Sequence, residues 1–284
     1  MEGQHTLFNI ESYKVDRVWD KGELYKRRIQ AGEDILWTED VVVEFGGIRA
    51  LDGVSVKVRR GEILGIIGPN GAGKTSLLNV ISGFYKPKRG RVYYKGRDIT
   101  GLRPHERVKL GISRTFQHSE LFTGMTVLEN IMVGLHPWVK PSLLDYAFWT
   151  PRAVKWEEWA RERAEHVIDL LDLHEYRGHV VGSLPPGIQK RVDLARALVQ
   201  DPEIVFMDEP MAGLTREEKE DLVRAIIEVY ETRDVTFVLV EHDLEVVVDI
   251  CDRLVVMDFG RVIAEGRPDE VVSDPAVVKA YLGA

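Results

Sequence analysis

A single cysteine, Cys251, occurs among 284 residues. One thiol cannot close a disulfide within the chain, so a disulfide-stapled fold is excluded and a reducing compartment is expected. No apolar run approaches the ~20 residues of a bilayer-spanning helix; the longest, such as Val235 to Val240, are strand-sized. The opening Met1-Glu2-Gly3-Gln4-His5 is polar and not cationic, unlike a secretory signal. A role at a membrane is therefore expected to run through a partner. Positive charge is not in excess either: the formal net charge is −8, which argues against general nucleic-acid binding. Neither an internal repeat nor a low-complexity segment is evident. With 44% hydrophobic and 30% charged residues, the composition is globular, and the length allows one large domain or two smaller ones.

What is present is organised around Gly68-Pro69-Asn70-Gly71-Ala72-Gly73-Lys74-Thr75, which fits the phosphate-binding pattern G-x-x-x-x-G-K-[ST] without mismatch. Glu62 to Ile67 reads as a short buried strand before it. Thr75 to Ser82 reads as the first turns of a helix, ended by Gly83. Glycines let the backbone turn its N–H groups toward phosphate, and the helix N-terminus adds partial positive charge there. The Lys74 ammonium suits the β- and γ-phosphates, and the Thr75 hydroxyl suits Mg²⁺.

Residues 1–35 say least. Tyr25-Lys26-Arg27-Arg28 is basic, and Leu24, Arg28 and Ile29 fit one helix face, so this is an extension that packs on the surface or a docking arm. Val41 to Phe45 reads as a strand turned by Gly46-Gly47, and Val54 to Val58 as a second, half-exposed one. Together they suggest an antiparallel β region beside the nucleotide. Phe45, at that turn, is a core residue or a stacking platform for adenine. Arg91 to Gly96 reads as a further strand. From Pro104 to about Gly182 the pattern is mostly helical, with amphipathic spacing at Ala164, Val167, Ile168 and Leu171. Trp138, Trp149, Trp156 and Trp159 in this region are core or a contact surface for another protein. The α/β texture then returns: a helix over Gln189 to Val199, a buried strand at Ile204 to Met207, a charged helix over Arg216 to Tyr230, a second buried strand at Thr236 to Val240, a hairpin around Phe259-Gly260 and a short final helix from Pro275 to Leu282.

The strand Ile204 to Met207 ends in Asp208-Glu209, the carboxylates a phosphate-loop site needs on its metal side. Asp208 suits Mg²⁺, through water, and Glu209 suits the orientation and deprotonation of an attacking water. His242 also follows a strand end and is placed to reach the γ-phosphate. A helix-capping turn is the bland alternative for the Asp-Glu pair.

From about Leu36 to the C-terminus the chain resembles the ATP-binding subunits of ABC transporters. Beyond the phosphate loop, Arg114-Thr115-Phe116-Gln117 resembles the Q-loop stretch. Leu184-Pro185-Pro186-Gly187-Ile188-Gln189-Lys190-Arg191, followed by Leu194-Ala195-Arg196-Ala197-Leu198, stands where the LSGGQ signature belongs. Met207-Asp208-Glu209-Pro210 resembles the Walker B segment with its catalytic glutamate, and Val240-Glu241-His242-Asp243 the switch histidine. Within the family, Gly83 to Pro87, Thr115 to His118, Met125 to Asn130 and Asp274 to Gly283 are similar to the branched-chain amino acid importer subunits; urea and lipopolysaccharide transport subunits look similar too.

The resemblance implies an α/β P-loop NTPase fold: a mainly parallel sheet core, an antiparallel β subdomain, and a helical subdomain over about residues 101–185 within a domain spanning 36–284. It implies ATP and Mg²⁺ as ligands, with hydrolysis driving transport. Gly68, Pro69, Asn70, Gly71, Ala72, Gly73, Lys74, Thr75 and Ser76 would cradle the phosphates, Phe45 would stack on adenine, and Gly187 would face a second nucleotide across a head-to-tail dimer. Thr75, Asp208 and Gln117 would serve the metal, Gln117 linking it to the permease; Glu209, His242, Lys74 and Gln117 would serve catalysis. Expected partners are a second ATPase subunit, identical or paralogous, two transmembrane permease subunits and, indirectly, a substrate-binding protein, at the cytoplasmic face of the cell membrane. Three departures stand out: the signature serine is Pro185, its neighbouring glycine and glutamine are Pro186 and Ile188, and Thr215 replaces the usual Asp or Asn of the D-loop. Pro185 and Pro186 have no backbone N–H to offer a phosphate. A soluble, non-transport ABC ATPase is the competing class; a single domain without a long heptad run counts against it.

Overall fold

The computed structural model describes residues 32–115, 120–242 and 244–282. The extension reading over Leu24, Arg28 and Ile29, and the Gln117 reading, lie outside the described residues.

Two sheets carry the fold. The larger has six strands in the order β11-β10-β4-β9-β8-β7: β4 (Ile63–Ile67), β7 (Ile112–Arg114), β8 (Ile204–Asp208), β9 (Thr236–Val240), β10 (Arg253–Asp258) and β11 (Arg261–Gly266). All its pairings are parallel except that of β10 with the edge strand β11. Every residue of β4, β8 and β9 is buried. Their unbroken apolar runs follow from being covered on both faces, and the period-2 pleat divides them between two cores. Ile63, Ile67, Val205, Met207, Phe237 and Leu239 enter one cluster with the helices. Leu64, Ile66, Ile204, Phe206, Val238 and Val240 enter the other, against the second sheet and the helix after the phosphate loop.

The second sheet is antiparallel: β1 (Asp34–Phe45) pairs with β2 (Ile48–Val54), β3 (Lys57–Arg59) and β5 (Arg89–Tyr94), and β5 with β6 (Arg97–Asp98). The strand expected over Val54 to Val58 is interrupted at Ser55-Val56, between the end of β2 and the start of β3. There Val56 N donates to Thr38 Oγ1 at 2.9 Å and Asp40 N to Ser55 Oγ at 2.9 Å. Side-chain hydroxyls thus take up amides in place of ladder partners, which alternation alone does not reveal.

The helices are α1 (Lys74–Ile81), α2 (Pro104–Val108), α3 (Val127–Val133), α4 (Leu143–Ala147), α5 (Pro151–Leu170), α6 (Pro186–Leu198), α7 (Arg216–Thr232), α8 (Leu244–Ile250), α9 (Pro268–Val272) and α10 (Pro275–Leu282). The stretch read as mostly helical contains β7, whose three residues are too short to show a period. It is recognisable only by pairing, Ile112 with Ile204 and Arg114 with Phe206. The tryptophans divide. Trp138 and Trp156 pack on the helical core, whereas Trp149 is 63% exposed and Trp159 37%.

Candidate nucleotide-binding site

β4 delivers the chain into the loop at Gly68, and α1 begins at Lys74. Gly68, Gly71 and Gly73 have φ of +151°, +82° and +101°, in a region that side chains with a Cβ rarely adopt. Two of them are also sterically committed. A Cβ on Gly68 would sit 2.1 Å from the Met257 carbonyl oxygen, and one on Gly73 2.5 Å from that of Ala50. Gly73 caps α1 without a side-chain hydrogen bond, and no acidic residue occupies the helix's first turn. The positive end of the helix is therefore left to a ligand.

Lys74 is buried, and its Nζ donates to the Gly68 carbonyl at 2.7 Å and the Pro69 carbonyl at 3.1 Å. Burial lowers its pKa, while Glu209, Asp208 and Glu241 hold it up. That electrostatic coupling links the loop to the ends of β8 and β9. Within the loop, Ala72 is buried; Asn70, Gly71 and Thr75 are exposed, and Pro69, Gly73 and Ser76 half-buried.

Asp208 closes β8. Its Oδ2 accepts from Arg114 Nη2 at 2.8 Å, whereas its buried Oδ1 makes no hydrogen bond. Burial pushes the carboxyl up from its ordinary range; the Arg114 cation opposes this, with the Thr75 hydroxyl a lesser contributor. Glu209, next in the chain, has φ of +47° and is held there by its N–H, which donates to Val240 O at 2.8 Å. His242 Nδ1 lies 3.9 Å from both Glu209 Oε1 and Glu241 Oε2.

Lys74, Thr75, Asp208, Glu209 and His242 thus stand around the ends of β4, β8 and β9. Among the described residues no cluster of three or more His, Cys, Asp or Glu side chains is arranged to hold a metal. A donor set of one carboxylate, a hydroxyl, water and phosphate oxygens suits Mg²⁺, which keeps much of its hydration. The orphaned Asp208 Oδ1 is the atom such an ion would satisfy.

Phe45 settles differently from the core alternative. It is 49% exposed at the end of β1, edge-on to Tyr85 with ring centroids 5.1 Å apart. Tyr85 is tied to α1 through its N–H, which donates to Asn79 O at 3.0 Å. Gly187, at the second position of α6, has its amide taken by Glu218 Oε1 at 2.9 Å. Thr215 caps α7, its Oγ1 accepting from Glu218 N at 3.3 Å.

Sequence reasoning missed three participants. Glu241 is 1% exposed and accepts from Met211 N at 2.9 Å, knitting the segments after β8 and β9 together; its place beside His242 at a strand end was the available signal. Arg114 and Glu218 left no such signal, because their partners are distant in sequence.

The ABC transporter family profile matches residues 51–212, and that of the branched-chain amino acid ATP-binding cassette transporters matches 261–284. The chain is 38% identical over 249 residues to the high-affinity branched-chain amino acid transport ATP-binding protein BraF of Pseudomonas aeruginosa, covering 88% of this chain and 98% of the relative. It is 41% identical over 256 residues to the probable branched-chain amino acid transport ATP-binding protein LivG of Methanocaldococcus jannaschii, with the same coverage. Among solved structures, a nucleotide-free ATP-binding cassette from an ABC transporter superposes with a TM-score of 0.78 at 40% identity, covering 89% of this chain and all of that one. The ADP conformation of such a cassette superposes with a TM-score of 0.76 at 38% identity and the same coverage. On that likeness, joined to a complete phosphate loop facing Asp208 and Glu209, the chain belongs to the ABC transporter family as one of its ATP-binding subunits.

Proposed function

We propose that this subunit hydrolyses ATP to energise a membrane importer of branched-chain or related amino acids. The observation that carries the reading is the convergence of Lys74, Asp208, Glu209 and His242 at the ends of β4, β8 and β9. The amino-acid assignment is supported by the names of the relatives and by the C-terminal profile match.

In this reading the loop of residues 68–76 binds the phosphates through its backbone N–H groups, of which Pro69 has none, and Lys74 exchanges the Gly68 and Pro69 carbonyls for phosphate oxygens. Phe45, with Tyr85 behind it, offers a ring to adenine. Thr75 and Asp208 would hold Mg²⁺, with Gln117 as a further ligand, and the ion would supply positive charge against the β- and γ-phosphates. Glu209 receives a proton from the attacking water. His242, 3.9 Å away, donates to the γ-phosphate. A cassette over residues 36–284 with a helical subdomain at about 101–185 pairs with an identical or paralogous ATPase subunit. Gly187 then faces the second nucleotide. ATP favours the closed pair by binding it better, and hydrolysis releases it.

A groove of about 350 Å³ lined by Phe84, Arg107, Arg114, Phe122 and Arg196 suits a permease segment. No helix among the described residues is long and apolar enough to cross a membrane. In this reading the subunit attaches through such a permease segment at the cytoplasmic face of the cell membrane. The test is to extract native membranes in mild detergent with a tagged chain and identify what co-purifies. A hydrophobic permease pair, with transport of branched-chain amino acids lost on deletion, is expected. Recovery only from the soluble fraction, with ribosomes or DNA, would overturn the reading.

A further inference from the structure

Arg114 is the last residue of β7, and its side chain is 8% exposed. Its contacts are specific. Nη1 donates to Asn79 Oδ1 at 2.6 Å and Nη2 to Asp208 Oδ2 at 2.8 Å. The guanidinium carbon stands 5.9 Å from the centre of the Phe84 ring. Asn79 belongs to α1, the helix that the phosphate loop opens, and Phe84 lines the groove described above. One planar group therefore bridges the phosphate-loop helix and the carboxylate at the end of β8, with a groove residue against its face.

The two oxygens of Asp208 are treated unequally. Oδ2 is held by the guanidinium; Oδ1 is buried and makes no hydrogen bond. A buried carboxylate oxygen left unsatisfied is costly and calls for a ligand. A guanidinium fork fixes direction as well as charge, because its donors lie in one plane. With Nη1 bonded to Asn79 and Nη2 to Asp208, the Asp208 carboxylate cannot rotate without breaking a short, charge-assisted bond.

We propose that Arg114 is the positioning residue for the metal carboxylate: by holding Asp208 Oδ2 from the Asn79 side, it presents Oδ1 alone to Mg²⁺ and so sets the metal affinity of the nucleotide site. The proposal rests on the reading of Asp208 as a metal ligand. A partner whose hydrogen bond orients a ligand typically contributes about 10- to 100-fold to metal affinity. A lysine cannot reproduce the bridge: a single ammonium lacks the planar fork that reaches both acceptors.

The experiment measures Mn²⁺, in place of Mg²⁺, by the loss of its free electron-paramagnetic-resonance signal on titration into the full chain with a non-hydrolysable ATP analogue. Metal-free ATP binding is measured separately in chelator. Arg114→Met is expected to weaken Mn²⁺ about tenfold or more, Arg114→Lys to recover part of that loss, and Asn79→Ala to weaken Mn²⁺ less than Arg114→Met does. Metal-free ATP affinity should stay within about twofold throughout, which a general loosening of the site would not allow. Asp208→Asn is the control on the underlying reading. Mn²⁺ affinity weakened by Asp208→Asn but left within twofold by Arg114→Met and Asn79→Ala overturns the positioning role alone. Affinity unchanged by Asp208→Asn removes the metal role of Asp208, and the proposal with it. If Arg114→Met fails to fold, Arg114→Lys and Asn79→Ala, which retain a cation, decide the matter by the same readout.

Discussion

The Gly187 amide donates to Glu218 Oε1 at 2.9 Å, joining the first turn of α6 to that of α7. Glu218 Oε2 meanwhile accepts from Thr215 N at 2.9 Å, so one carboxylate closes its own capping box and caps the neighbouring helix as well. These bonds hold its pKa down, that from Thr215 first and that from Gly187 next. The contact is close: a Cβ on Gly187 would meet Glu218 Cγ at 2.8 Å. The amide that the family resemblance assigns to a phosphate thus already holds an anion, and Pro185 and Pro186 supply no substitute.

From this we predict that Glu218→Gln, which keeps an acceptor but removes the charge, lowers the ATP concentration at which two subunits associate. The measurement is sedimentation velocity against ATP in a Glu209→Gln background. An unchanged midpoint would mean that Glu218 does not compete with the nucleotide.

Glu209 occupies a left-handed conformation that its Val240 contact enforces, and such strain gathers at functional sites. We predict that Glu209→Gln lowers phosphate release about a hundred- to ten-thousand-fold, while ATP binding persists and the dimer accumulates. Phosphate release at the parent rate would remove Glu209 from the role of base.

Arg107 tests the scaffold rather than the chemistry. It is 1% exposed and faces carbonyls rather than an acid: Nη1 donates to Val80 O and Ile81 O, Nη2 to Thr100 O and Nε to Leu102 O. Burial draws its pKa down to about 10. It donates to the last carbonyls of α1, adding to the Gly83 N–H that Val80 O already accepts at 3.1 Å. We predict that Arg107→Met costs about 2–4 kcal/mol of stability, as expected when several buried acceptors are orphaned. A urea midpoint that does not move would show that water replaces the guanidinium.

Glu241 gives the protein a pH signature. Burial raises its pKa above that of the unfolded chain, against the Met211 and His242 amides that favour the anion. The folded state therefore binds a proton that the unfolded state has released. The stabilisation is fully present below the unfolded pKa and is lost as pH rises through the folded one. We predict that Glu241→Gln, which keeps an acceptor for Met211 N, flattens this part of the pH dependence and is the more stable form, relative to the parent, above the window. Parallel stability curves for parent and variant, measured by urea unfolding from pH 4 to 8, would disprove the assignment.

The amino-acid sequence by itself determined the site's frame. Three apolar runs, each long enough for one strand, end in Gly68, Asp208-Glu209 and Glu241-His242. Burial on both faces leaves parallel strands no alternative composition, and a phosphate loop tolerates few residue types, so both are legible locally. Only the tertiary structure decided which side chains meet. Arg114 and Asp208 are 94 positions apart, and Gly187 and Glu218 are 31. No periodicity encodes such pairs, since they follow from β7 pairing with β8 and from α6 packing beside α7. The break at Ser55-Val56 and the exposure of Phe45 were likewise settled by neighbours across the sheet and after α1. Local pattern specifies the element and the type of residue at its end; the partner that satisfies that residue's charge and hydrogen bonds is chosen by the packed fold.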